Sequence, residues 1–153
     1  HMQQTPWNHA LNMLARRECS RHEVEAKLQR KFDINPDELD ALLDRLIQTG
    51  LQSDKRFAES WVRAKFNQGK GPNRIRMELR QKGVSNDLVE RSLAEPGFDW
   101  FQSAEQLANK KLGTLDSDEP MDAQKKAKLY RFLSYRGFDR DQIDHAIDSC
   151  RCG

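Results

Sequence analysis

The sequence predicts an all-α protein built from three tandem three-helix repeats, forming an elongated, curved array. Three observations carry that reading. Apolar residues recur at three- and four-residue spacing through most of the 153 residues, while strand-like alternation is nearly absent. Residues suited to helix capping divide the chain into about nine amphipathic runs of 9 to 16 residues. The same residue types then return at intervals of about 50 residues, the mark of a repeated supersecondary unit.

The first helix of each repeat opens at Thr5, Ser53 or Asp99, whose side-chain oxygens can accept a free backbone N–H. Five residues on stand Ala10, Ala58 and Ala104, a recurrent small residue that predicts close helix approach. Met13, Trp61 and Leu107 follow at offset eight, Leu14, Val62 and Ala108 at nine, and Arg17, Lys65 and Lys111 at twelve. The second helices share a leucine and, three residues later, a base: Leu28 with Lys31, Leu79 with Lys82, Leu133 with Arg136. Gly83-Val84 and Gly137-Phe138 then supply a helix stop with an apolar contact back onto the helix, whereas the first copy reads Lys31-Phe32 and lacks the glycine.

Third helices begin at Asn35, Ser85 and Asp139 and carry apolar residues four on (Leu39, Val89, Ile143) and eight on (Leu43, Leu93, Ile147). The repeats so defined span 5–50, 53–96 and 99–150, with a polar, Gly- and Pro-bearing loop expected at 113–122. A unit this small buries little surface alone, so neighbours are expected to pack on one another.

With 37% hydrophobic and 33% charged residues the composition is that of a folded domain rather than a disordered chain. Three cysteines (Cys19, Cys150, Cys152) make an odd count with two crowded at the tail, which argues against a disulfide framework and for a reducing cytoplasm. No run approaches the roughly 20 apolar residues that span a bilayer, and no apolar leader is evident. A cytoplasmic monomer that makes no use of a membrane is the expectation.

A net charge of +2 says nothing about partners, but its distribution does. Between Ser53 and Gly83 lie nine bases (Lys55, Arg56, Arg63, Lys65, Lys70, Arg74, Arg76, Arg80, Lys82) against three acids (Asp54, Glu59, Glu78). Between Thr5 and Gly50, seven bases meet eight acids, so the first repeat is nearly neutral. A second basic helix runs from Lys125 to Arg136, with Lys126, Lys128 and Arg131 between them and no acid. Helical geometry turns Ile75 and Leu79 inward and Asn73, Arg76 and Arg80 outward; likewise it turns Leu129, Phe132 and Leu133 inward and Lys128, Arg131 and Tyr135 outward. Arg56, Arg63, Lys70, Arg74, Arg76, Arg80, Lys128, Arg131 and Tyr135 are therefore the candidate partner-binding residues. Such a face suits a polyanion or an acidic protein groove, because guanidinium forks pair with phosphate or carboxylate.

Catalytic chemistry is not expected, and neither is a cofactor or metal. The string Gly69-Lys70-Gly71-Pro72 lacks the preceding strand of a phosphate-binding loop and reads as a helix-to-helix joint, Gly69 ending one helix and Pro72 opening the next. Cys19 and His22 have C-x-x-H spacing but no second local pair to complete a tetrahedral site. His9 and His145 have no catalytic partner in the pattern, and Asp37, Glu38, Asp40 and Asp44 suit a helix start and its outer face. Trp7, Trp61 and Trp100 fall near helix starts or core stripes, where packing accounts for them.

Three stretches resemble the RecX family: SDKRFAESWVRAKFNQGKGPNRIRMELRQKGV from Ser53 to Val84, Asp99-Trp100, and KLYRFLSYRGF from Lys128 to Phe138. ALNMLARRECSRHEVEAKL, from Ala10 to Leu28, is similar to the family's first unit, so the resemblance covers nearly the whole chain. It implies a three-repeat, non-catalytic regulator that binds along the groove of a RecA recombinase filament on DNA. Such a protein blocks strand exchange, ATPase and coprotease activity, and promotes filament loss during recombination and SOS repair. The alternative is a helix-turn-helix-like protein acting directly on DNA through Asn86–Arg91. Two acids in that segment disfavour base reading, but weak backbone contact with single- or double-stranded DNA fits the charge.

Overall fold

The computed structural model describes residues 4–114 and 121–152, with the side chains of Arg151 and Cys152 left aside. Among the described residues there are nine helices and no strand: α1 (Pro6–Arg16), α2 (Arg21–Lys31), α3 (Pro36–Gln48), α4 (Asp54–Asn67), α5 (Pro72–Gln81), α6 (Asn86–Leu93), α7 (Trp100–Thr114), α8 (Ala123–Arg136) and α9 (Arg140–Cys152). Helix α6, at 8 residues, is one shorter than the range the sequence suggests. Helix α7 runs through Gly113 and Thr114, and most of the segment read as a loop, 115–120, lies outside the described residues.

The helices start where their caps stand. Thr5 accepts from the Asn8 N–H at 3.1 Å, Ser53 from Arg56 at 3.2 Å and Asp99 from Gln102 at 3.0 Å. Asn35, Ser85 and Asp139 do the same for α3, α6 and α9. Each cap satisfies one of the donors that a helix start leaves open, a contribution of about 1 kcal/mol. Ser20 adds a reciprocal pair for α2: its hydroxyl accepts from the Glu23 N–H, and the Glu23 carboxylate accepts from the Ser20 N–H.

Helix stops follow the same logic. Gly83 and Gly137 both adopt the left-handed conformation, φ +80° and +105°. The next residue's N–H reaches back to the helix, Val84 to the Leu79 carbonyl and Phe138 to the Leu133 carbonyl, each at 3.1 Å, and both apolar side chains are buried. The first repeat, without the glycine, ends α2 on Phe32 in extended conformation.

By packing, the described chain falls into two compact units. One holds the chain up to Trp61 together with Leu79–Ser92; the other holds Val62–Glu78 and the chain from Leu93. The middle repeat thus contributes residues to both. The first unit's core gathers Ala10, Cys19, Val24, Leu28, Leu39, Leu43 and Leu46, and the second's gathers Ala104, Ala108, Leu129, Leu133, Phe138, Ile143, Ala146 and Ile147. The repeated alanines Ala10, Ala58 and Ala104 are fully buried, as the offset predicts. Each fully buried leucine or isoleucine contributes about 1.5–3 kcal/mol. Trp100 packs against Phe66 and Phe98 in the second unit, and its indole N–H donates to the Leu93 carbonyl at 3.1 Å.

Candidate interaction surface

The joint between α4 and α5 is where the second unit positions its candidate residues. Helix α4 ends at Asn67 and Pro72 opens α5, as the sequence predicts. The Gly71 N–H donates to the Arg136 carbonyl at 2.7 Å, and the Asn73 N–H donates to the Gly137 carbonyl at 2.8 Å. Both acceptors belong to the end of α8, whose last carbonyls have no partner within the helix. The Arg136 guanidinium completes the clamp, donating to the carbonyls of Gln68 at 2.8 Å and Gly69 at 3.3 Å.

That clamp lays the start of α5 against the end of α8 and brings two candidates into contact. Arg74 donates to the Tyr135 carbonyl at 3.3 Å, and its guanidinium carbon lies 5.2 Å from the centre of the Tyr135 ring. Glu78 anchors the same arginine at 3.7 Å and takes the Lys70 ammonium at 3.0 Å. Lys70 and Arg74 are thus held in place, while Tyr135 is 74% exposed. On α8 the exposed Lys128 and Arg131 have no ion-paired or hydrogen-bonded partner among the described residues, and the exposed Arg63 on α4 has none either. Arg76 binds Asn73 Oδ1 at 2.6 Å. Lys125, on the same basic helix, is buried rather than outward.

Arg56 and Arg80 fall in the other compact unit, and both are engaged locally. Arg56 pairs with Glu18 at 3.0 Å and donates to the Gly50 carbonyl at 2.7 Å; Arg80 donates to Asn86 Oδ1 at 3.1 Å. The structure therefore gathers Arg63, Lys70, Arg74, Arg76, Lys128, Arg131 and Tyr135 in one unit and separates the other two from them. Arg136 is not among the partner-binding candidates that the sequence suggests. The base repeated three residues after a leucine was its signal, but only the fold shows that it clamps the joint.

Other motifs resolve simply. Cys19 is 1% exposed and lies 3.6 Å from the Arg17 carbonyl, and burial pushes its thiol pKa up. His22 is exposed. Among the described residues no group of three or more His, Cys, Asp or Glu could hold a metal ion, and no helix is long and apolar enough to cross a membrane. Cys150 donates to Asn109 Oδ1 at 3.3 Å, and the Cys152 side chain lies outside the described residues.

Nine helices in repeated threes among the described residues define a class: a helical-repeat array. The models of the first, second and third three-helix domains of RecX match residues 7–46, 53–93 and 99–147, and the chain belongs to the RecX family. The regulatory protein RecX of Pseudomonas savastanoi pv. phaseolicola is 42% identical over 139 residues, covering 90% of this chain and 86% of the relative. That of Haemophilus influenzae is 36% identical over 147 residues, covering 95% of each. Among solved structures, RecX from Lactobacillus salivarius superposes with a TM-score of 0.83 at 33% identity, covering 94% of this chain and 93% of the other.

Proposed function

We propose that this protein is a non-catalytic cytoplasmic regulator that binds a RecA-type recombinase filament on DNA and restrains its strand exchange, ATPase and coprotease activities. Membership of a family of regulatory proteins supports the class of function. The observation that carries the proposed contact is the outer face of α8, where Lys128 and Arg131 stand exposed beside Tyr135 and its stacked Arg74. Unpaired cations next to an exposed ring suit an acidic protein groove or a phosphate backbone, since no internal ion pair has to be broken before they bind. Lys70 and Arg74, already held by Glu78, act in this reading by shaping the surface.

Direct, sequence-specific reading of DNA by α6 is disfavoured. Arg91 is committed to Asp87 one turn earlier, and Asn86 already accepts from Arg80. With Asp87 and Glu90 on this 8-residue helix and Arg91 its one cation, it brings no net positive charge to a phosphate backbone.

The test is recombinase ATPase inhibition by a variant in which Arg76, Lys128 and Arg131 are replaced by Ala. Inhibition weakens while helix content by circular dichroism stays unchanged. Undiminished inhibition removes this surface as the contact.

A further inference from the structure

The first repeat holds seven bases and eight acids, and its net charge conceals how they are placed. Four of its eight carboxylates, Asp37, Glu38, Asp40 and Asp44, lie on α3, while Glu23 and Glu25 lie on α2. Four of its seven bases, joined by Lys82 of the second repeat, converge on one groove. A groove of about 630 Å³, within the first compact unit, runs between α1, α2 and the end of α5, and Arg16, Arg17, Lys27, Arg30 and Lys82 line it. Glu23 is the one carboxylate in its wall. That carboxylate is consumed, taking Arg17 at 3.0 Å, Lys82 at 3.3 Å and the Ser20 N–H at 3.0 Å. Arg16, Lys27 and Arg30 are exposed and have no ion-paired or hydrogen-bonded partner among the described residues.

Two further observations extend the feature. A smaller recess shares Lys27 and Arg30 with the groove and continues it to Lys31 and His9. His9 senses what gathers there: burial first, then the charges of Lys31, Lys27 and Arg16, hold its pKa below the ordinary value. Its Nε2 is buried and has no hydrogen-bond partner among the described residues.

We propose that this groove binds the sugar-phosphate backbone of a DNA strand without reading its bases. Lys27, Arg30 and Lys31 repeat at i, i+3 and i+4, which places three cations along one edge of α2. From Glu23 to Lys31 the helix rises about 12 Å, a track long enough for more than one backbone phosphate of a strand. No Phe, Tyr or Trp lines the groove and His22 is its one ring, so it offers neither a row of stacking platforms for successive bases nor a pocketed apolar anchor of the kind that dominates protein interfaces. The result is a linear cationic track, a match to phosphodiesters in series.

This goes beyond the recombinase reading, and its test contains no recombinase. Fluorescence anisotropy of a labelled oligothymidylate is followed against salt for the full chain, for R16A/K27A/R30A, and for K128A/R131A. The triple variant binds at least tenfold more weakly at low salt, and its plot of log K against log salt flattens by about two, given a slope of about −0.7 for each phosphate contacted in a single strand. The K128A/R131A variant keeps the parental slope. Unchanged affinity and slope in the triple variant overturn the proposal. So does a triple variant that loses recombinase inhibition while binding the oligonucleotide normally, which would assign the groove to an acidic protein surface. If the triple variant loses helix content, the single variants R30E and R30K decide: R30E flattens the slope and R30K preserves it, and equal slopes overturn the proposal.

Discussion

Gly71 passes so close to Gly137 that a methyl group on Gly71 would stand 2.4 Å from the Gly137 carbonyl carbon. The contact has backbone on both sides, so no side chain can swing away. Replacing Gly71 by Ala forces the joint and the end of α8 apart, at a cost of about 1–3 kcal/mol from overpacking. Urea denaturation reads this as a lower midpoint. Gly97→Ala is the matched control, since nothing lies within 4 Å of its added carbon, and its stability stays within about 0.5 kcal/mol of the parent.

Arg136→Met keeps much of the side-chain volume but removes the donors to the Gln68 and Gly69 carbonyls. Bonds from a charged donor are worth about 1.5–3 kcal/mol when buried, and partial exposure brings the expected loss to about 1–2 kcal/mol. The loss is local. Native-state hydrogen exchange at the Gly71 and Asn73 amides accelerates more than exchange at Leu28 or Leu43.

Acid weakens the first unit through two groups. Burial pushes the Glu23 pKa up, but the Arg17 hydrogen bonds, the Ser20 N–H and the charges of Arg17 and Lys82 outweigh it and hold the carboxyl below 4.5. Its stabilising contribution is complete above 4.5 and fades as pH falls through the lower folded value, because the unfolded chain takes up the proton first. His9 acts in the same direction from higher pH. Its folded pKa lies below 6.5, so its contribution is present above 6.5 and is lost as pH falls through the folded value. Glu23→Gln therefore lowers stability at neutral pH and flattens the limb below pH 4.5, while His9→Phe flattens the limb that begins below 6.5. Thermal melts at graded pH separate the two. Parallel curves for His9→Phe and the parent would falsify the histidine assignment.

Tyr135→Ala tests the face of α8 at little structural risk. The ring is 74% exposed, so the melting temperature stays close to that of the parent, while recombinase ATPase inhibition declines. Arg74→Ala affects both readings, since Arg74 also holds the Tyr135 carbonyl and Glu78.

The fold was legible wherever its causes are local. Thr5, Ser53 and Asp99 cap helices because a side-chain oxygen satisfies a donor two or three residues away, and Gly83 and Gly137 stop helices because they tolerate positive φ. Ala10, Ala58 and Ala104 were readable because a repeat makes one packing requirement visible three times. What stayed hidden joins residues far apart in sequence. The approach of Gly71 to Gly137, the Lys82–Glu23 pair and the stacking of Arg74 on Tyr135 each depend on which turn of one helix faces which turn of another. The α1–α2 groove was hidden for a different reason: a charge count over the first repeat cancels, and only three dimensions show that Arg16, Lys27 and Arg30 share one groove whose single carboxylate, Glu23, is already taken.

That clustering of cations makes net charge a poor guide to how the molecule behaves toward ions. A chain of net +2 that gathers unpaired cations in one groove is retained on an anionic matrix by that groove rather than by the sum of its charges. Salt within a Debye length of Arg16, Lys27 and Arg30 is mostly anion, whatever the isoelectric point says of the whole.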